Sequence, residues 1–192
     1  FLIAFIVSFM ATPYTIKIAK KIGAVDIPKD KRRMHHHTMP KFGGPAVILG
    51  FLVSVIYLLI IMSIERSIDL FSDEEYFTKL IGVLLGIIII GITGIIDDIK
   101  TIKPLTKLAG QLIAAIIVVS FGVRIEHISI PFITETFKIS SSVISSLITI
   151  IWIVGVTNAI NLTDGLDGLS SGIAAISCIS LLIIFALNAS PL

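Results

Sequence analysis

The sequence predicts an all-α fold, a polytopic integral membrane helical bundle with about six transmembrane helices within its 192 residues. Three observations predict it. Hydrophobic residues make up 55% of the chain and charged residues only 15%, with a mean hydropathy of +1.03, a balance that excludes a water-soluble domain. The apolar residues gather into runs, each long enough for a hydrocarbon core of roughly 30 Å at about 1.5 Å per residue. The basic residues are segregated among the connectors between those runs, as the positive-inside rule requires of a multi-pass chain.

Taken in order, the expected spans are Phe1–Ile18, Gly43–Ile64, Lys79–Ile96, Leu105–Gly122, Ser142–Ala159 and Leu169–Leu187. The first opens inside an apolar segment and ends at Lys17, Lys20 and Lys21. The second follows Pro40 and Gly43-Gly44, which let the chain turn tightly. An acidic connector with Glu65, Asp69, Asp73, Glu74 and Glu75 separates it from the third, which stops at Asp97-Asp98. The fourth follows Pro104. After it, Arg124–Lys138 alternates around Ile125, Ile128, Ile130 and Phe132, a pattern compatible with a short hairpin. The fifth and sixth spans flank the polar stretch TNAINLTDGLDGLS, Thr157–Ser170. Cys178 lies in the sixth; as the chain's one cysteine it excludes an intrachain disulfide and reads as a packing residue. The chain reads as a single transmembrane domain over 1–192, with cytoplasmic connectors at about 19–42, 97–104 and 160–168.

Eleven of the 15 Lys and Arg residues fall in one set of connectors: Lys17, Lys20, Lys21, Lys29, Lys31, Arg32, Arg33, Lys41, Lys100, Lys103 and Lys107. That set is assigned to the cytoplasm. Counting spans puts Asp97-Asp98 and the Thr157–Ser170 stretch on the same side.

Two acidic clusters are therefore expected at one membrane face. Asn158, Asn161, Asp164 and Asp167 recur every third residue. Neighbours three apart share a helix surface, but four at that spacing drift off one face. With Gly165 and Gly168 nearby, the expectation is two amides at a helix end and two carboxylates in the following turn. A polar connector capping two helices is the plainer alternative. Asp97 and Asp98 sit where a helix C-terminus already carries partial negative charge, and each repels the other. Lys100, Lys103 and Lys107 offset that charge, and a divalent cation would offset it further; Mg²⁺ takes a few carboxylate or amide oxygens together with phosphate and water. The first connector adds Arg32, Arg33 and lysines suited to phosphate or anionic lipid headgroups. His35, His36 and His37 are consecutive and do not share a helix face, which argues against a metal site there. The residues alone point to cation-assisted handling of phosphates at a membrane surface.

Three motifs carry a resemblance: DIPKDKRRMHHHTMPKFGG from Asp26, GIIDDIKTIKPLTKLAGQ from Gly94, and NAINLTDGLDGL from Asn158. In order and spacing the chain resembles the polyprenyl-phosphate N-acetylhexosamine-1-phosphate transferases. Its first connector is more similar to the branch that uses UDP-N-acetylglucosamine than to the branch that transfers phospho-N-acetylmuramoyl-pentapeptide for peptidoglycan. The resemblance implies an enzyme that moves N-acetylglucosamine 1-phosphate onto undecaprenyl phosphate and releases UMP, the first membrane step of a cell-wall polymer of teichoic acid or O-antigen type. Mg²⁺ is the implied cofactor, with Mn²⁺ as a substitute. The implied partners are undecaprenyl phosphate, UDP-N-acetylglucosamine and the lipid bilayer of a bacterial inner membrane. A homodimer is compatible with this reading, and no nucleic acid is expected.

Residue by residue, the resemblance makes Asp97, Asp98 and Asp164 catalytic, with Asp97 contacting or deprotonating the lipid phosphate. Asn161, Asp97 and Asp98 would hold the metal. Lys107, Asn158, Asp167, Arg33 and His35 would bind substrate, Asp167 at the nucleotide end. The family pattern continues through further spans, with a later Asp ligand and a late loop rich in His and Arg, so the expectation is that these 192 residues alone are inactive. Two rival classes are a transporter, which calls for charges near the bilayer midplane, and a non-catalytic membrane scaffold.

Overall fold

A computed structural model describes residues 1–26, 38–65, 74–129, 136–165 and 168–188. Six helices carry the fold: α1 (Leu2–Ile22), α2 (Gly44–Glu65), α3 (Glu74–Ile99), α4 (Pro104–Ser120), α5 (Ser142–Thr163) and α6 (Leu169–Asn188). Four of them, Leu2–Ile22, Gly44–Ile64, Glu74–Ile99 and Ser142–Thr163, are long and apolar enough to cross a membrane; Pro104–Ser120 and Leu169–Ile184 are shorter apolar helices. The all-α expectation and its six apolar helices hold. Several helices run past their apolar cores, because a backbone that is still hydrogen-bonded i to i−4 does not stop where hydrophobicity does. Asp97 and Asp98 consequently lie in the last turn of α3 and Asn161 in that of α5, at helix ends as expected but beyond the expected span limits Ile96 and Ala159.

Two short antiparallel ladders join the helices. β1 (Val25–Asp26) pairs with β2 (Met39–Pro40) in the register Val25↔Pro40 and Asp26↔Met39. β3 (His127–Ser129) pairs with β4 (Thr136–Lys138), with Ile128 opposite Phe137. The second is the hairpin that the alternation around Ile125 and Ile128 anticipated. The first, at the base of the Lys20–Phe42 connector, was not anticipated.

The chain forms two compact units, Phe1–Ile150 and Ile151–Leu192. In the first, the fully packed residues are small: Ala19, Ala24, Ala46, Ala114, Ala115 and Val119. Large apolar side chains such as Phe5, Phe9, Leu58 and Ile92 face outward. Lipid gives apolar side chains no reason to prefer the interior, so backbones approach through small residues instead. Gly50 of α2 lies against Ser8 and the Ala4 carbonyl of α1. Gly82 and Gly86 of α3 lie against Phe121 and Val118, and Gly110 of α4 against Thr93 of α3. These contacts make α3 and α4 an antiparallel pair with its short connector at Lys100–Lys103.

At the other end of that pair, the backbone of Ile125 is held by the start of α5. Ser145 Oγ donates to the Ile125 carbonyl at 2.7 Å, and the Ile125 N–H donates to Thr149 Oγ1 at 2.9 Å. Both side chains are buried, and they satisfy an irregular segment that would otherwise leave two polar groups unpaired. In the second unit no described residue is buried; Cys178, expected to pack, is exposed on α6.

A Cβ added to Gly50 would stand 2.5 Å from the Ala4 carbonyl oxygen, a backbone atom that cannot rotate away. Gly50→Ala is therefore expected to destabilise the α1–α2 pair by about 1–3 kcal/mol through overpacking, measured as a lowered midpoint in detergent unfolding. The double variant Ser145→Ala, Thr149→Val is expected to cost about 1–3 kcal/mol for each orphaned group at Ile125, read in the same assay.

Candidate functional site

The candidate centre of the first unit is the corner between α3 and α4. The last helical bond of α3 runs from the Lys100 N–H to the Ile96 carbonyl at 2.8 Å. Lys103 is extended (φ −66, ψ 146) and Pro104 opens α4. Proline drives the preceding residue out of helix, and as a first helical residue it gives up only an N–H that has no helical partner there. The sharp turn that results points the first turn of α4 back at the end of α3.

Asp97 closes this corner. Its Oδ1 accepts the Ile102 N–H at 3.1 Å and its Oδ2 accepts the Lys107 ammonium at 3.0 Å. The side chains of Lys107 and Asp97 retain 27% and 24% exposure, so the pair is open to an arriving solute. One turn below, the close approach of Gly110 to Thr93 sets the helix spacing that lets Lys107 reach Asp97. Asp98 is half-buried and makes no hydrogen bond or ion pair among the described residues. A half-buried carboxylate beside a second one, at a helix C-terminus, favours an approaching cation.

The second unit carries the other polar stretch. Asn158 and Asn161 lie in the final turns of α5, three residues apart and so adjacent on its surface. The Asn158 amide donates to its own helix at the Val154 carbonyl, 2.9 Å away. Asp164 is exposed in the turn that follows. Gly168 adopts φ 80, the left-handed region that favours glycine, and its carbonyl accepts the Gly172 N–H at 2.8 Å as α6 begins. Two amides at the helix end and a carboxylate in the turn match the spacing argument. Asp167, Arg33 and His35 lie outside the described residues.

A family model described as glycosyl transferase family 4 matches residues 80–191, more than half of the chain. The chain belongs to glycosyl transferase family 4. It is also similar to a Bacillus subtilis (strain 168) protein named "Probable undecaprenyl-phosphate N-acetylglucosaminyl 1-phosphate transferase", 36% identical over 141 residues that make up 71% of this chain and 35% of that relative. The chain thus spans about a third of the relative's length. No solved structure matches.

The region matched by the glycosyl transferase family 4 model runs from α3 into the end of the chain and includes Asp97, Asp98, Lys107, Asn158, Asn161 and Asp164. It is also where the polar groups of this family 4 chain collect at helix ends. Among the described residues, no three His, Cys, Asp or Glu side chains converge as a closed metal site. Asp97 and Asp98 are two hard oxygen donors, the share a protein gives a cation whose remaining ligands are phosphate and water. Sequence reasoning named Lys107 both as a phosphate binder and among the three lysines that offset the Asp97-Asp98 charge, and of those three it is Lys107 that pairs with Asp97. Sequence reasoning missed the Ile102 N–H and the Thr93–Gly110 contact; the available signal was a small residue one turn from each charged partner.

Because both partners are partly exposed, Lys107→Met is expected to change stability by no more than about 1 kcal/mol, measured by thermal unfolding in micelles. Asp97→Ala also removes the acceptor of the Ile102 N–H and is expected to raise amide exchange at Ile102 about tenfold, the equivalent of one net hydrogen bond.

Proposed function

We propose that the whole protein transfers N-acetylglucosamine 1-phosphate from UDP-N-acetylglucosamine to undecaprenyl phosphate, releasing UMP. The proposed setting is the cytoplasmic face of a bacterial inner membrane, as the first membrane step of a cell-wall polymer. The observation that carries the reading is the Asp97–Asp98 pair, with the Lys107 ammonium 3.0 Å from Asp97, at a helix corner of a glycosyl transferase family 4 chain. The name of the Bacillus subtilis relative supports the two substrates. The eleven basic residues on one set of connectors support the side.

In this reading an anionic oxygen of the lipid phosphate bonds to the sugar-linked phosphorus. The bond from that phosphorus to the bridging oxygen breaks, and its electron pair leaves with UMP. No proton needs to be removed from the attacking oxygen near neutral pH, so Asp97 serves by aiming Lys107 and closing the corner. Lys107 neutralises phosphate charge. Asp98 offers its carboxylate to a cation. Mg²⁺, for which Mn²⁺ can substitute, fits the carboxylate oxygens of Asp97 and Asp98 and would supply charge neutralisation at the transferring phosphate. Asn161 and Asp164 are proposed, on residue chemistry, as a further ligand and an organiser of the catalytic centre. Asn158, Asp167, Arg33 and His35 are proposed to contact substrate.

The test is transfer by the purified full-length protein in detergent with both substrates. Mg²⁺ is expected to give a lipid diphosphate sugar and UMP, EDTA to abolish product, and UDP-N-acetylmuramoyl-pentapeptide to give none. Asp98→Asn, Asn161→Ala and Asp164→Asn are each expected to lower kcat by about 100-fold or more, the scale of losing one electrostatic contact to a transition state. The 192-residue chain alone is expected to be inactive. No transfer by the purified parent would favour the scaffold reading, and unchanged rates in all three variants would take the catalytic centre away from these residues.

A further inference from the structure

A third lysine is brought to the Asp97–Asp98 end by the backbone of the first connector. Gly23 ends α1 in the left-handed region, φ 78, with its N–H on the Ala19 carbonyl. The chain then doubles back: Ala24 is fully buried, and β1 pairs with β2. The Lys41 N–H donates to the Ala24 carbonyl at 3.0 Å. Lys41 is thus held through its own main chain, while its side chain is exposed.

The same corner is tied to α3. Ile48 of α2 packs so closely on Gly91 that a Cβ there would stand 2.7 Å from Ile48 Cδ1. Lys41 lies seven residues before Ile48, and Asp98 seven after Gly91. The two helices run in opposite directions, so both residues fall at the same end of the unit. There the positive charge of Lys41 bears on both carboxylates.

We propose that Lys41 is a phosphate-binding residue of this centre, placed by the β1–β2 pair to hold an anionic phosphate oxygen of a substrate beside Asp98. The inference deepens the transferase reading and rests on it. Two adjacent carboxylates repel a phosphate, and Lys107 sets one ammonium against them, at Asp97. An ammonium is a compact point charge suited to phosphate oxygens, and Lys41 brings one from a different element. The lipid monophosphate and the nucleotide diphosphate present the same chemistry, and the experiment separates them.

Equilibrium binding of UDP-N-acetylglucosamine, and of undecaprenyl phosphate in phosphatidylcholine vesicles, is measured on the full-length protein alongside KM and kcat. Lys41→Ala is expected to weaken one of the two at least tenfold, with a matching rise in that KM and a kcat within threefold of the parent. The ligand that weakens identifies the phosphate. Lys41→Arg is expected to restore binding to within threefold, and Lys41→Glu to weaken it beyond Lys41→Ala. Binding of both ligands within twofold in Lys41→Ala, or no rescue by arginine, overturns the inference. If the parent binds both ligands and transfers nothing, the transferase reading falls while Lys41 is still decided by binding. If the parent binds neither, both fall.

Discussion

The hydrocarbon of a bilayer offers no hydrogen-bond partner, and that single constraint accounts for where every polar group described here is found. Hydroxyls within helices turn back on their own backbone: Thr12 to the Ser8 carbonyl, Thr93 to Ile89, Thr157 to Ile153 and Ser180 to Ile176. The irregular segment at Ile125 is satisfied by Ser145 and Thr149. Among the described residues no buried side-chain nitrogen or oxygen lacks a partner. Among the described residues, charges lie toward helix ends and in the connectors, where water and headgroups can reach them. A site for phosphate chemistry in such a chain has to be assembled from helix ends and short connectors.

Assembly at helix ends requires that the ends be held at fixed spacing, and small residues do this. Gly82, Gly86 and Gly110 bring α3 and α4 close enough that the four-residue connector Lys100–Lys103 can close with Asp97 as its clasp. The Lys107–Asp97 pair adds little stability because it is partly solvated. Its effect is directional: it fixes where a cation stands relative to a carboxylate. Packing therefore supplies the rigidity, and the ion pair supplies the orientation.

The helices were legible in the sequence because an apolar run of membrane length has few alternatives, and the candidate site residues stood out because Asp and Asn beside such runs are conspicuous. Helix ends were less legible. The expected spans stop at Ile96 and Ala159 because hydropathy changes there, while the backbone ladder continues to Ile99 and Thr163. The β3–β4 hairpin showed itself through alternation. The β1–β2 pair did not, since two residues per strand, one of them Pro40, carry no period. The Lys107–Asp97 contact depends on the turn that Lys103 and Pro104 impose, a tertiary consequence that a spacing of ten residues does not display.

Adjacent aspartates read as a unit in the sequence, but the corner makes them unequal. Asp97 commits one oxygen to the Ile102 N–H and the other to Lys107. Both contacts are local, and losing either would loosen the turn that places Lys107. Asp98 has no such contact among the described residues and is half-buried beside a like charge. Of the two, Asp98 has more to gain from a cation or a cation-bound phosphate, and less of the protein to disturb in binding one. In the proposed transferase, Asp97 would shape the centre and Asp98 would face the chemistry. The division follows from chain direction: α4 returns on the side of Asp97 and brings Lys107 to it.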